Sequence, residues 1–386
     1  MMQEWTFRSP ELIIFGEGKA GHVGELVKGR TSGKILLLTG PVLLRTGVVE
    51  PVLYSLRKAG VPLTVYAERS GEPTSRDVEK VLELFHTEGC TAIIACGGGG
   101  PIDLAKATSL LSANDSSLAD LARDASRVQA GPPVFALPTT AGSGSEVSGH
   151  TVIIDARSQE KLLISSPTLI PTAAVLDPQL CMSMPPALTA TTGMDAMTHA
   201  IESRVSRKAS AMTIPLSLRA VSRLARFLPQ AYTCPEDKEA RSQCMLAALE
   251  AGLAFSNASV ALVHGMARPL GAKFGIAHGL GNAMLLDTVT TFSLEGDVQG
   301  YAQLAEVMGA DIAELAPLEA AQLLPGLLRD LRSRLDIPRL REHVSKEALA
   351  SQISTMAREA LESGSPANNP RSATADDIVQ LYEAAW

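Results

Sequence analysis

The sequence predicts an α/β domain with a Rossmann-like parallel sheet over residues 1–180, followed by an all-α domain over residues 181–386. Three observations lead there. In the first half, short apolar runs alternate with segments of helical periodicity, the pattern of a parallel sheet covered on both faces. Glycine-rich stretches follow two of those runs, at the strand ends where such sheets bind ligands. From Pro185 onward the chain is rich in Ala, Leu and Met at helical spacing, with few β-branched runs.

Taken in order, KILLLTG (34–40), PLTVYAE (62–68), TAIIACGGG (91–99) and PVFALPTT (133–140) read as buried strands. VVEPVLYSLRKAG (48–60) and SRDVEKVLELFHTEG (75–89) carry apolar residues at helical spacing, and PIDLAKATSLL, from Pro101, opens a third helix. In the second half ALTATTGMDAMTHAIESRV (187–205), IPLSLRAVSRLARFL (214–228) and KEARSQCMLAALEAGLAF (238–255) read as helices. No internal repeat or low-complexity linker interrupts them.

Composition narrows the function. With 46% hydrophobic and 19% charged residues the chain can bury large cores, and a net charge of −7 without a Lys/Arg run argues against nucleic acid or an anionic membrane as the main partner. The N-terminus lacks the pattern of a secretory signal, no apolar stretch reaches the roughly 20 residues of a membrane span, and the five cysteines form no CxxC pair. A cytoplasmic protein with reduced thiols is expected.

Gly97, Gly98, Gly99 and Gly100 stand between the strand TAIIAC and a helix whose first turn holds Pro101. Consecutive glycines admit a ligand close to the backbone, and the helix N-terminus offers free N–H groups to an anion, so a pyrophosphate is the expected guest. A second loop, PTTAGSGSEV (138–147), repeats the construction with hydroxyls and glycines after the strand VFAL. Two such loops after neighbouring strands suggest one nucleotide shared between them.

Asp195 and His199 stand at i and i+4 in GMDAMTHAIE (193–202), on one helix face with Cβ atoms about 5–6 Å apart. His264 and His278 add two imidazoles in similar apolar settings, so that three of only seven histidines accompany the aspartate. Three imidazoles and a carboxylate suit Fe(2+) or Zn(2+) better than Mg(2+), which prefers oxygen ligands.

These segments resemble the motifs of the iron-containing (group III) alcohol dehydrogenases, which have a dehydroquinate-synthase-like architecture. GGGGPIDLAK is similar to the family's Gly-rich signature and PTTAGSGSEV to its Thr/Gly loop, while GMDAMTHAIE and HGMARPLGAKFGIAHG match its two metal motifs. The resemblance runs from ELIIFGEG (11–18) to the C-terminal NNPRSATADDIVQLYEAAW. It implies metal ligation by Asp195, His199, His264 and His278. It implies that Gly97, Gly98 and Gly99 cradle the pyrophosphate with Asp103 beside them, and that Thr139, Thr140, Ser143 and Lys161 contact the cofactor. Phe255 falls on the substrate pocket, and His150 near it. The implied chemistry is hydride transfer between a nicotinamide cofactor and a small alcohol or aldehyde activated by the metal, in a homodimer or larger homo-oligomer.

Three positions depart from the family pattern. Gly100 replaces a serine, with the expected loss of one phosphate hydrogen bond. Gly40 stands where NAD-preferring members carry an acidic residue that binds the ribose hydroxyls, which favours NADP(H) over NAD(H). Arg268 replaces a histidine four residues after the third metal ligand; a guanidinium cannot shuttle a proton as imidazole does. Arg268 and His150 are candidates for holding an anionic group on the substrate, and His150 for carrying the proton; the plainer reading gives Arg268 an anionic partner within the protein or cofactor. Alternative functions are a dehydroquinate-synthase-like lyase using NAD and a metal, a metallohydrolase without a redox cofactor, and a catalytically silent binding protein.

Overall fold

The computed structural model describes residues 4–68, 71–125 and 128–386. Contacts divide the chain into two compact units, Arg8–Ser183 and Met184–Trp386, the latter with the described residues before Arg8.

The first unit is built on six parallel strands, β1 (Leu12–Phe15), β2 (Lys34–Thr39), β3 (Leu63–Tyr66), β4 (Cys90–Gly97), β5 (Val134–Pro138) and β8 (Ala173–Leu176), in the order β1-β8-β5-β4-β2-β3. An antiparallel hairpin, β6 (His150–Ile154) with β7 (Lys161–Ser165), lies outside the sheet. Six helices connect the strands: α1 (Val23–Lys28), α2 (Pro41–Arg45), α3 (Glu50–Lys58), α4 (Ser75–Thr87), α5 (Gly99–Ser112) and α6 (Leu118–Arg123). Side chains alternate across a strand, and both faces of this sheet are covered. Leu36 and Leu38 of β2, Ile93 and Ala95 of β4, and Ala136 of β5 join Val78, Val81, Phe85, Ile102 and Leu110 of α4 and α5 in one core. Ile35 and Leu37, Ile94, and Phe135 and Leu137 join Val23, Val27, Val52 and Leu56 of α1 and α3 in the other. That is why β2, β4 and β5 read as unbroken apolar runs.

The four strands expected from sequence are β2, β3, β4 and β5; β2, β4 and β5 end before the last glycines or threonines of their runs, which belong to the loops, and β3 is trimmed to Leu63–Tyr66. β1, β8 and the hairpin were not anticipated. The four-residue LIIF and AAVL segments carry too little pattern to stand out.

The second unit is helical: α7 (Pro186–Val205), α8 (Thr213–Thr233), α9 (Lys238–Ala258), α10 (Leu262–Phe274), α11 (His278–Ser293), α12 (Val298–Val307), α13 (Pro317–Arg334), α14 (Lys346–Glu362) and α15 (Ala375–Ala385). The stretch Gly193–Val205 of α7 is buried throughout, so this is a core helix without a solvent face. No single helix among the described residues is long and apolar enough to cross a membrane.

Candidate metal centre and cofactor loops

In the first unit, Gly40, the glycine turn and the Thr/Gly loop follow β2, β4 and β5, three adjacent parallel strands, and therefore gather at one edge of the sheet. Thr139 N donates to Gly97 O (2.9 Å). A Cβ on Gly98 would lie 3.3 Å from Thr140 Cγ2, and one on Gly99 3.2 Å from Ser143 Cβ, so the two loops touch at the residues expected to hold a pyrophosphate. Helix α5 starts at Gly99 with no side-chain cap, leaving its first N–H groups for an anion. Gly100 is a glycine for a local reason: a Cβ there would meet Gly71 O at 2.3 Å.

A buried polar clamp fastens these loops. Lys106 Nζ donates to Ser145 Oγ (3.1 Å), Ser148 O (2.7 Å), Ser148 Oγ (3.1 Å) and His150 O (2.9 Å). Asp103 accepts from Ser145 Oγ at Oδ1 (2.6 Å) and from Val152 N at Oδ2 (3.0 Å), so the carboxylate expected beside the pyrophosphate is turned into the protein. Burial pulls the Lys106 pKa down to about 8, against the pull of Asp103 and Glu146. Burial likewise pushes Glu146 up to about 7, opposed by its own backbone N–H and by Lys106. Lys161 pairs with Glu72 at 2.6 Å, and His150 Nδ1 lies 2.8 Å from Ser165 Oγ.

In the second unit, the four expected metal ligands come together from three helices. Asp195 and His199 lie on α7, His264 in the first turn of α10, and His278 opens α11. Gly279 lets α11 approach α7, since a Cβ there would stand 2.5 Å from Thr191 O, while a Cβ on Gly265 would stand 2.6 Å from Pro366 Cγ, outside the three ligand-bearing helices. The donor atoms of Asp195, His199 and His264, all buried, lie within 4.8 Å of one another, and His278 Nε2 is 3.8 Å from Asp195 Oδ1. The rings of His199 and His264 stack at 4.6 Å, and Phe255 stacks on the other side of His199 at 4.2 Å.

The chemistry of this set fits a cation. Asn282 places Nδ2 2.7 Å from Asp195 Oδ1, 3.1 Å from His264 Nε2 and 3.3 Å from His278 Nε2, so an N–H donor stands where three lone pairs converge. His199 Nδ1 is buried without a hydrogen-bond partner, an unmet need in a dry site. Burial, with His199 and His278 close by, holds His264 well below 6.5, which keeps its imidazole neutral and able to ligate. Burial raises the Asp195 pKa, but His199, His278, His264 and the Asn282 amide together outweigh it and hold the carboxyl below its usual range.

Arg268 lies one turn beyond His264 on α10, largely withdrawn from water, with Nη1 donating to Ser363 O (3.3 Å). No carboxylate of the described residues lies within ion-pair distance of it, although Glu202 favours its charge from farther off. Phe255 and Arg268 belong to the second unit and His150 to the first. Sequence reasoning missed Lys106, Glu202 and Asn282 as parts of these sites. Spacing carried a signal for two of them: Glu202 follows His199 by three residues and Asn282 follows His278 by four, each on the same helical face.

Comparison with known proteins follows these two constructions. Residues 10–178 match the family described as iron-containing alcohol dehydrogenase, and residues 189–386 match the C-terminal region of the Fe-containing alcohol dehydrogenase family. The chain is 36% identical over 381 residues to a lactaldehyde reductase of Escherichia coli (strain K12), covering 97% of this chain and 98% of the relative. Its structure superposes on a crystal structure of 1,3-propanediol oxidoreductase with a TM-score of 0.96 at 33% identity, covering all of both chains. A sulfoacetaldehyde reductase from Bifidobacterium kashiwanohense, solved with NAD+, gives a TM-score of 0.88 at 26% identity over 99% of each chain. With a glycine-loop sheet unit, a helical unit that gathers one carboxylate and three imidazoles, and relatives matching end to end, the chain belongs to the iron-containing alcohol dehydrogenase family and is an oxidoreductase of that type.

Proposed function

We propose that the protein interconverts a short aldehyde and its primary alcohol, with NADP(H) preferred to NAD(H) and Fe(2+) or Zn(2+) on Asp195, His199, His264 and His278. The convergence of Asp195, His264 and His278 on the Asn282 amide, with His199 beside Asp195 and His264, carries the reading, because it supports a cluster whose donor atoms are turned to one point. Family membership speaks against the lyase, metallohydrolase and silent-protein alternatives. When bound, the metal supplies Lewis acidity to the substrate oxygen and the nicotinamide supplies or takes the hydride.

The chain's own residues do the positioning. Gly97, Gly98, Gly99 and the first turn of α5 receive the pyrophosphate, and Thr139, Thr140, Ser143 and Lys161 contact the rest of the cofactor. Phe255, stacked on His199, keeps water from that flank of the ligand cluster. Gly40 leaves the adenosine ribose without a carboxylate, which removes the repulsion a 2′-phosphate would meet. Arg268 remains a cation at neutral pH and takes no part in proton transfer.

Arg268 also favours a second, narrower reading, a substrate bearing a carboxylate, phosphonate or sulfonate. A guanidinium drawn out of water without an ion-pair partner among the described residues is costly unless an anion meets it. The sulfoacetaldehyde reductase shows that a family member acts on an anionic aldehyde. The test is turnover of metal-reconstituted enzyme across neutral and anionic aldehydes of equal length, with NADH and NADPH in parallel, for wild type and Arg268→Leu. The proposal expects turnover, an anionic preference in wild type and its loss in the variant. Equal losses on both substrates would make Arg268 structural, and a tenfold preference for NADH would refute the cofactor assignment.

A further inference from the structure

The passage from α9 into α10 is an unusual piece of backbone. The two helices meet at 102° across a short break. Ser259, in that break, has φ 66° and ψ 167°, a region that non-glycine residues occupy only when their surroundings impose it. Ala258 O accepts from Ser206 Oγ (2.5 Å), and Asn368 Nδ2 donates to Ser259 Oγ (3.0 Å) and Val260 O (3.2 Å). Helix α10 has no cap from its own segment, yet its first N–H groups are met. Glu202, reaching across from α7, accepts from Ala261 N at Oε2 (2.8 Å) and from Val263 N at Oε1 (2.6 Å). The same carboxylate holds His264 Nδ1 at 2.6 Å. Both residues are buried, at 3% exposure each.

We infer that Glu202 is the positioning residue of the metal centre, its one carboxylate capping α10 and fixing the His264 imidazole with Nε2 toward the other donors. The inference rests on the reading of Asp195, His199, His264 and His278 as a metal set. A carboxylate accepts from all three partners, whereas a carboxamide accepts at one oxygen and presents N–H groups at the other position. With Nδ1 bound to Glu202 as a donor, Nε2 is left as the lone pair, and it lies 3.1 Å from the Asn282 amide nitrogen. The start of α10 and the ring are thus held by one group, while Ser206 and Asn368 hold the break before it, so the start of α10 and the direction of its ligand are not independent. Outer carboxylates of this kind typically change metal affinity about 10–100-fold when removed.

The test uses full-length protein and metal alone. Zn(2+) affinity is measured by competition with a chromophoric chelator for wild type, Glu202→Gln and Glu202→Asp, and the visible spectrum is recorded for each Co(2+)-loaded protein. Expected are a loss of about 10–100-fold in Glu202→Gln, an altered Co(2+) spectrum, partial recovery in Glu202→Asp, and unchanged NADPH affinity. A role in capping alone would lower Tm without moving the Co(2+) bands. Wild-type Zn(2+) affinity and an unchanged spectrum in Glu202→Gln would overturn the inference while leaving the metal reading in place. A wild type that takes up no divalent metal would overturn both. Should Glu202→Gln not fold, the ¹⁵N histidine spectrum of Zn(2+)-loaded wild type decides: His264 protonated at Nδ1 supports the assignment, and metal at Nδ1 refutes it.

Discussion

At Gly40 a side chain has room. A Cβ built there comes no nearer than 3.9 Å to Leu43, and the backbone is extended, with φ −86° and ψ 148°. Neither sterics nor backbone requires glycine there, so Gly40→Asp should fold normally while moving the NADH/NADPH ratio of kcat/KM toward NADH by tenfold or more, ~1.4 kcal/mol. An unchanged ratio in steady-state assays would remove Gly40 from the cofactor site. Single residues were also where the sequence spoke most unevenly. Asp195 and His199 were legible because histidine is rare in this chain and the pair is one helical turn apart. Glu202 sits on the same helix and Asn282 on that of His278, but a carboxylate or amide at helical spacing has the usual look of a solvated face, and nothing local says that it is buried. Asp103 was legible as a residue beside the glycine turn, whereas its partners Ser145 and Val152 come from later segments that only the fold brings near.

Among the elements, α5 is fastened to the Thr/Gly loop by the buried clamp of Lys106 and Asp103, beside the buried Glu146. Burial raises the Glu146 pKa from 4.5 to about 7 in the folded state. A folded pKa above the unfolded one means that the folded form holds the proton more tightly, so this stabilisation is complete below about pH 4.5 and is lost as pH rises through about 7. Glu146→Gln lacks that dependence. Thermal melts of the two proteins between pH 5 and 8 should show the variant gaining on wild type as pH rises; parallel curves would mean that Glu146 is not buried as a carboxyl. The elements themselves were readable in proportion to their burial. β2, β4 and β5, apolar on both faces, stood out, while β1 and β8, four residues each, owe their place to neighbours in the sheet. Helices α7 to α9 were found because apolar periodicity runs through 15 residues or more in each, although the α8 reading stopped at Leu228 while the helix continues through Pro229 to Thr233.

For the whole molecule, the proposed metal ligands are already held by protein groups, Glu202 on His264 and Asn282 on Asp195, His264 and His278. Removing the metal with a chelator should therefore leave the helix content seen by circular dichroism unchanged. It should lower Tm, since a ligand at 100 times its Kd adds about 2.7 kcal/mol to the folded state. His278→Ala should abolish turnover and lose both the bound metal and the chelator-sensitive part of Tm, with NADPH affinity retained. Stoichiometric metal with near-normal activity in that variant would refute the ligand assignment. The α/β-then-helical order was legible at this scale, because a change from alternating to continuous helical periodicity does not depend on any one contact. What the pattern could not give was the packing that brings His278 beside Asp195, where Gly279 meets the backbone of Thr191.

The contact between Gly71 and Gly100 has a consequence for sequence drift and for protein engineering. A consensus design would rewrite Gly100 as the family's serine and expect a gain in stability. In this chain the added atoms would fall on the carbonyl of Gly71, 2.3 Å from the new Cβ. The two positions are coupled, and their substitutions are not additive: serine can return at 100 only after the segment at 71–73 has drawn back. Each residue is acceptable in its own background, and the order in which changes occur decides which paths between family members stay open.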